Sequence, residues 1–331
     1  MHPEPPSVSI PIPKPPSTTG AVEVVRIGSA LQGQRIDNFL ISRAKGVPRS
    51  HLYRVLRRGE VRVNKGRVKP GYRLQSGDLV RVPPLRVPPA GTPAPLPQDR
   101  LEQLESSVLY EDGRLIALNK PSGMAVHGGS GLDWGLIEAM RALRPAVAEL
   151  ELVHRLDRET SGCLLLSKRR STLRELHRLI RDKDLDKRYL ALLVGQLKRE
   201  EVLVDAPLRK NLLRGGERLV CFDPKRGKRA RTIFRILRRL GDFTLVEAEL
   251  LTGRTHQLRV HAAHIGAPIA GDEKYGDADA NRYLRSLGLK RLFLHACALK
   301  FSLNCRERPL HIEAPPPAEL QSLVAALGGM Q

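Results

Sequence analysis

The sequence predicts an α+β protein: a large domain built on a mixed sheet, preceded by a small separate module of helices and a hairpin. Three observations point there. After residue 104 candidate strands outnumber candidate helices and do not alternate strictly with them, which argues against a doubly wound parallel fold. Two proline-dense stretches, with seven prolines within 1–20 and seven within 83–99, cut the chain into a tail, a small unit and a large one. The length, 331 residues, suits about two domains, and 41% apolar content is enough to bury their cores.

Residues 1–20 hold too little apolar material to pack and read as a disordered tail. Residues 34–84 form the small unit. Ile36, Phe39 and Leu40 share one helical face, as do Leu52, Val55 and Leu56, and residues 46–50 separate the two helices. Arg49 stands in that separating segment, and the second helix carries Arg54, Arg57 and Arg58 on one side. Residues 60–68 alternate and turn as a hairpin bearing Arg62, Lys65 and Arg67, and Val80 with Val82 marks a further strand. A solvated basic face would account for these cations. A helix presenting them to a phosphate backbone would give them work to do. A stiff proline-rich linker, assigned to 85–100, leads to the large domain, 101–331.

In the large domain, 115–118 is a strand candidate that runs into a Gly/Pro loop over 119–129. Asp133 can cap a helix with Leu136, Ile137, Met140 and Leu143 on one face, ended by Pro145. Residues 163–167 are a short apolar run of strand type. Thr172 and Glu175 stand at capping-box spacing before Leu176, Leu179 and Ile180. Residues 188–194 read as a strand. Residues 208–231, with Arg209, Lys210, Arg214, Lys225, Arg226, Lys228 and Arg229, read as a basic loop. Residues 232–237 and 243–250 pair as a hairpin around Gly241-Asp242. Short late strands fall at 292–294 and 310–312. A closing helix carries Leu320, Leu323, Val324 and Leu327, with Gly328 just beyond it.

The charge balance narrows the function. Lys plus Arg number 56 against 35 Asp plus Glu, a formal net charge of +21. A polyanion is the first partner to expect, nucleic acid ahead of a membrane surface. No run of 18 apolar residues exists, so no membrane span is predicted, and no apolar signal-peptide core opens the chain. Cys163, Cys221, Cys297 and Cys305 form no CxxC pair, which fits free thiols in a reducing cytoplasm.

Residues 152–162, LVHRLDRETSG, form the stretch around which the large domain is organised. They hold one acid, Asp157, at a bend between two apolar segments. The flanking Arg155 and Arg158 favour its ionised form. Thr160 and Ser161 offer hydroxyls to local backbone, and Gly162 permits a tight turn. A structural Arg–Asp pair at a surface turn is the plain alternative. A second dense stretch, 251–261 (LTGRTHQLRVH), ends one strand and opens a helix. Its Arg254, His256, Gln257 and Arg259 suit anion or acid recognition at a helix start. A metal site of His256, His261 and His264 fails on spacing and lacks a completing Cys or carboxylate. No phosphate-binding glycine loop is present.

Residues 154–162, HRLDRETSG, resemble the signature of the RluA-type pseudouridine synthases. The loop 119–123, the segment 187–191 and residues 253–261 resemble that family's other motifs, in the right order. Residues 58–82 and the basic helix before them resemble the S-four-type RNA-binding domain, named after a small-subunit ribosomal protein. Glu159 stands where relatives often have Asp.

The resemblance implies the pseudouridine synthase fold, with a mixed, largely antiparallel sheet, and an isomerase that converts uridines of 23S ribosomal RNA to pseudouridine without metal or organic cofactor. It further implies that Asp157 is the catalytic carboxylate and that Arg259 pairs with it. It puts Tyr189 against the flipped base with its phenol placed for proton transfer, and Arg155 in the space the base leaves. Leu258 would be a pocket wall, with Arg254 near the substrate and Lys120 either structural or close to the pocket. A uracil must leave its stack before its glycosidic bond can be rearranged. Whether the acid attacks the sugar C1′ or the ring stays open. A monomer is the default. The alternative from another class is a non-catalytic ribosomal-RNA binder or assembly factor, which explains the basic module but not Asp157, Tyr189 and Arg259. A hydrolase would need a second carboxylate or a metal.

Overall fold

A computed structural model describes residues 22–44, 47, 49–85, 97–128, 134–212, 218–303 and 308–328. The chain divides into two compact units, Met1–Ala94 and Pro95–Gln331. The tail over 1–20 lies outside the described residues, as do 86–96 of the proline-rich stretch and Cys305.

The first unit contains β1 (Glu23–Arg26), α1 (Ile36–Arg43), α2 (Arg49–Arg58), β2 (Arg62–Val63), β3 (Gly66–Arg67) and β4 (Leu79–Val82). The strands form one antiparallel sheet in the order β1-β4-β2-β3. The apolar faces expected of the two helices meet Val61, Val63, Val80 and Val82 in a single core. Asn64 and Lys65, both with positive φ, make the two-residue turn between β2 and β3. Asp78 ties this turn down by accepting from Asn64 Nδ2 at 2.8 Å, Tyr72 Oη at 3.0 Å and the Gln75 amide at 2.9 Å. Strand β1 precedes the predicted start at residue 34. Val24 on it is 60% exposed, so the strand shows no buried alternation to read.

The second unit opens with α3 (Gln98–Ser106), which takes the last residues assigned to the linker. It continues through β5 (Val108–Glu111), β6 (Leu115–Lys120), α4 (Leu136–Leu143), β7 (Glu151–Leu152), β8 (Ser161–Ser167), α5 (Arg170–Asp182) and β9 (Asp186–Val194). Strands β10 (Glu201–Asp205), β11 (Leu208–Leu212), β12 (Arg218–Phe222), β13 (Arg231–Leu240) and β14 (Phe243–Leu250) follow. The chain then runs through α6 (Gln257–His264), α7 (Ala278–Ser286), β15 (Leu294–Phe301), β16 (Leu310–Glu313) and α8 (Ala318–Gly328). Ten strands make one sheet, ordered β10-β13-β14-β9-β15-β8-β6-β5, with β16 on β15 and β7 on β8. Every pairing in it is antiparallel except β15 with β8, so the sheet is mixed and largely antiparallel.

Strand β8 is buried along its whole length, which explains its continuous apolar run. Gly162 at its start has φ +110°, and a Cβ there would lie 2.2 Å from the Ala296 carbonyl oxygen of β15. Only glycine lets the two strands approach so closely where the central turn ends.

Several local expectations change. Residues 208–231 contain a hairpin, β11 with β12, whose Leu208 and Val220 pack with Ala230 and Val260. Its few apolar residues hide the period. Thr172 lies inside α5 and is buried; the N-cap is Arg169, with no side-chain cap bond. Asp133 lies outside the described residues, and the cap of α4 is Gly135, whose amide donates to Glu138 at 2.9 Å. The strand expected at 292 begins at Leu294, and Gly328 is the last residue of α8 rather than its stop.

Candidate active site

The turn before β8 is held from three sides. From below, Val153 donates to the Leu165 carbonyl at 3.0 Å, and His154 Nε2 accepts from the Leu165 amide at 3.2 Å. Burial pushes the His154 imidazole down to about 3, with the Lys187 charge adding, so the ring is a neutral acceptor. From one flank, the loop after β6 clamps the turn. Gly123 and Arg158 exchange bonds of 2.9 Å in each direction, and Ser122 Oγ donates to the Glu159 carbonyl at 2.8 Å. Lys120, fully buried, donates to the carbonyls of Pro121, Met124 and Arg158 at 2.8, 2.9 and 3.0 Å. Burial, then the Arg291 charge, pushes its ammonium down to about 7, yet three acceptors match the three hydrogens that only the ammonium offers.

From the other flank, Arg291 donates to Ser161 Oγ at 2.7 Å and to the Glu159 carbonyl at 3.3 Å. Ser161 Oγ lies 2.9 Å from His295 Nδ1, and His295 Nε2 lies 3.0 Å from the Ala314 carbonyl. A carbonyl at Nε2 assigns the ring proton there, so Nδ1 accepts from Ser161. The loop after β6 and the cations Lys120 and Arg291 thus fix the turn that carries Asp157 without touching its carboxylate.

Asp157 faces a cavity of about 290 Å³, near the low end for small-ligand sites and sized for one base. Its walls are the 153–157 turn, His177 and Ile180 of α5, Lys187 and Tyr189 of β9, and residues 253–259 leading into α6. Asp157, Tyr189, Arg155, Arg254, Leu258 and Arg259 therefore share one cavity. Lys120 does not line it; its ammonium is spent on the turn beneath. Burial, helped by the Asp157 charge, pushes the Tyr189 phenol up, so it stays a neutral donor in contact with the cavity. Arg155 is exposed, without an ion-pair partner among the described residues. Arg254 is exposed too and donates to the Arg229 carbonyl at 3.1 Å.

Arg259 makes its ion pair with Asp272 rather than with Asp157, which corrects the pairing implied by resemblance. Nε and Nη2 donate to the two Asp272 oxygens at 2.7 Å each. Asp272 also accepts the amides of Lys274 and Tyr275 at 2.9 and 3.0 Å. Against its own burial, this fork and the two amides hold the Asp272 carboxyl below the usual range. Burial opposes the Arg259 charge, and Asp272, then Asp157, raise its pKa in spite of it. The guanidinium sits 5.0 Å from the centre of the Tyr275 ring.

His256 approaches Asp157 instead, with Nε2 3.8 Å from Oδ2. It is a non-glycine residue at φ +52°, a left-handed conformation carried at the N-cap of α6. Its Nδ1 lies 2.9 Å from Tyr275 Oη, which accepts the Val220 amide at 3.0 Å. The phenol hydrogen is therefore assigned to Nδ1, leaving the imidazole proton on Nε2 toward Asp157. Burial lowers the His256 pKa, and the Asp157 charge pulls it back.

The remaining polar residues of 251–261 anchor backbone. Gln257 accepts from Thr252 Oγ1 and the Arg254 amide and donates to the Arg231 carbonyl and Thr232. His261 uses both nitrogens, on Thr232 and the Ala206 carbonyl. Asp272, Tyr275 and Lys187 escaped sequence reasoning; the one available signal was the acid and tyrosine enclosed by Gly271 and Gly276. In the first unit, Arg54, Arg57, Arg58, Arg62, Lys65 and Arg67 are exposed on α2 and the hairpin. The side chain of Arg49, and Arg214, lie outside the described residues.

Two family models match the chain, one described as RNA pseudouridylate synthase over residues 114–264 and the S4 domain over 34–80. The ribosomal large subunit pseudouridine synthase C of Pasteurella multocida (strain Pm70) is 51% identical over 308 residues, 93% of this chain and 94% of that protein. The protein of the same name from Escherichia coli (strain K12) is 51% identical over 90% of this chain and 94% of its own. Among solved structures, human RNA pseudouridylate synthase domain containing 4 superposes with a TM-score of 0.58 at 25% identity. That match covers 69% of this chain and 95% of that one.

Proposed function

The chain belongs to the RNA pseudouridylate synthase family, and from that premise we propose that it isomerises uridines of large-subunit ribosomal RNA to pseudouridine, with Asp157 as the nucleophile. One observation carries the assignment of Asp157: it is the acid of a base-sized cavity whose other walls are cations, a buried phenol and apolar side chains.

The chemistry follows from the walls. The flipped uridine enters the cavity with its base against Tyr189 and Leu258. Asp157 attacks the nucleotide, the glycosidic bond to N1 breaks, the ring is rejoined to the sugar through C5, and the bond to Asp157 breaks to return the carboxylate, with the C5 proton lost and N1 protonated. Arg259, fixed by Asp272, supplies positive charge to a carboxylate that must begin ionised, and the His256 Nε2 proton points at the same oxygen pair. Arg155 at the rim fills the stack the base has left. The exposed cations of the S4-type unit grip phosphates elsewhere on the RNA.

The partner is 23S ribosomal RNA, free or in an assembling subunit, engaged by a cytoplasmic monomer that needs no metal or organic cofactor. Among the described residues no helix is long and apolar enough to cross a membrane. The test is carbodiimide-stop mapping of ribosomal RNA from cells with and without the gene, repeated with an Asp157→Asn allele. Stops missing from both the deletion and the Asn allele are expected. Normal stops with the Asn allele would remove Asp157 from the reaction.

A further inference from the structure

Helix α5 carries a feature that the cavity chemistry does not use. Arg170, Arg174, Arg178 and Arg181 recur at i, i+4, i+8 and i+11, which places them on one stripe. All four are exposed. They span about 16 Å at ~1.5 Å per residue. The helix is electrostatically worse for them. Like charges four apart repel, and cations in the first turn oppose the helix dipole. That turn contains no acid, and its cap, Arg169, is another cation with no capping bond.

Acidic compensation is thin. Glu149 meets Arg170 at 2.9 Å, and Asp182 serves both Arg178 and Arg181, at 3.5 and 3.6 Å. These pairs are solvent-exposed and exchange readily for another anion. Arg174 has no ion-pair partner among the described residues.

The stripe is tied to the cavity. His177, on the same helix, lies with Nε2 3.0 Å from the Val153 carbonyl, so α5 is anchored to the turn that carries Asp157. His177 and Ile180 line the cavity, and the next strand contributes Lys187 to its wall. The arginines therefore run along a helix that also lines the cavity, and Lys187 adds a further cation to the cavity wall.

We propose that the α5 arginine stripe is the docking track for the RNA strand flanking the target uridine, holding successive phosphates while the base enters the cavity. The proposal rests on the uridine-site reading and extends it to the backbone on one side of the flipped nucleotide. A single strand fits better than a protein surface, because a row of evenly spaced guanidiniums with one apolar flank matches a repeating monoanion.

The experiment uses the full chain and a transcript of large-subunit ribosomal RNA, with binding measured across a range of salt concentrations. Replacing Arg174, Arg178 and Arg181 together by Gln is expected to lower the log–log salt slope by about 2, at about 0.7 per lost phosphate contact on single strands. KM should rise while the single-turnover rate at saturating RNA stays put. The triple Lys variant keeps the charge and should keep the slope. Arg174→Gln alone, whose side chain makes no ion pair among the described residues, should lower it by about 0.7 and serves if the triple variant melts early. A wild-type slope in the Gln variants overturns the track. So does a Lys triple as weak as the Gln triple, which would mark a packing role. If RNA binding holds and only binding to assembling particles falls, the stripe serves a protein there and the proposal fails. Tritium release from C5-labelled uridine by the unmodified enzyme is scored separately: its absence with a changed slope would leave the track standing and remove the uridine-site reading.

Discussion

Arg259 and Asp272 are joined by two parallel hydrogen bonds of 2.7 Å, and the Asp272 side chain has no exposed surface. Asp272 is itself pinned by the amides of Lys274 and Tyr275, in a bend where Gly271 has φ +72° and a Cβ would meet the Arg291 carbonyl oxygen at 2.0 Å. The guanidinium beside the cavity is thus aimed by a rigid partner and not by Asp157. Asp157 is left free of a tight ion pair before substrate arrives.

This geometry makes Asp272 a positioning residue. Asp272→Ala leaves a buried guanidinium without its counter-ion, and loss of about 3–5 kcal/mol of stability is expected. Asp272→Asn keeps an acceptor for the backbone amides but weakens the fork. Its single-turnover rate should fall tenfold or more, equivalent to about 1.4 kcal/mol of barrier per tenfold, with RNA affinity nearly unchanged. Calorimetric melting and single-turnover tritium release check the two effects. An Asn variant with full chemical rate would show that Arg259 needs no such support.

Asp157→Asn tests the nucleophile proposed for the cavity. The 2.9 Å clamp between Gly123 and Arg158 and the Ser161–His295 bond hold the turn through groups other than the carboxylate. The variant should therefore fold with an unchanged melting temperature, bind RNA at least as tightly as the parent, and release no tritium. Turnover within tenfold of the parent would contradict the assignment.

The acid stability of the first unit depends on Asp37. Its carboxyl is bonded by Arg35 at 2.6 and 3.0 Å and by Tyr53 Oη at 3.1 Å. The Arg35 bond, against a burial cost, lowers its pKa from 3.8 to about 2. A depressed carboxylate pKa means the unfolded state binds the proton more tightly, so the contribution is complete above pH 3.8 and drains away as pH falls toward 2. Hydrogen exchange of the α1 and α2 amides should accelerate through that window, relative to Asp37→Asn, which is weaker at neutral pH and flatter in acid. Parallel pH profiles for parent and variant would refute the linkage.

Much of the large domain was legible because its elements obey local rules. Residues 163–167 are apolar because β8 is covered on both faces. The turn at 154–162 is compact enough to carry its acid, cations and glycine in one stretch, so both its bend and its importance can be read. Asp272 was illegible because its burial is decided by Arg259, thirteen residues back on another element, and no period marks it. Arg259 was identified, but its partner depends on which acid the fold brings near. Lys120 shows the converse: a lysine beside this turn reads in sequence as either structural or close to the pocket, and the three carbonyls that converge on it in the fold decide for the first. The hairpin of β11 and β12 was read as a loop because only alternate, widely scattered residues reach its small core.

The last prediction separates the grip from the chemistry. The first unit presents Arg54 and Arg57 on α2, exposed, with Arg54 near His51 at 2.8 Å and Arg57 bonded to the Tyr53 carbonyl at 3.3 Å. Neither bond neutralises the charge, so both guanidiniums remain available to phosphates. If both make contacts, Arg54→Ala with Arg57→Ala should lower the salt slope of RNA binding by about 1.4, at about 0.7 per contact, and raise KM. The chemical step at saturating RNA should stay within twofold, because these side chains belong to the Met1–Ala94 unit and the cavity to the other. Arg259→Ala should do the reverse. The residue is 9% exposed and its guanidinium is already occupied by Asp272, so it has little to offer a phosphate, and the slope should hardly move. Its loss strips positive charge from beside Asp157 and leaves Asp272 buried without a counter-ion, so the chemical rate should fall by orders of magnitude and the protein should melt earlier. Equilibrium binding across salt, paired with single-turnover tritium release, reads both columns at once. A helix double mutant that loses chemistry at saturation, or an Arg259→Ala variant with a flattened slope, would mean that RNA binding and catalysis are not divided between these two sets of residues.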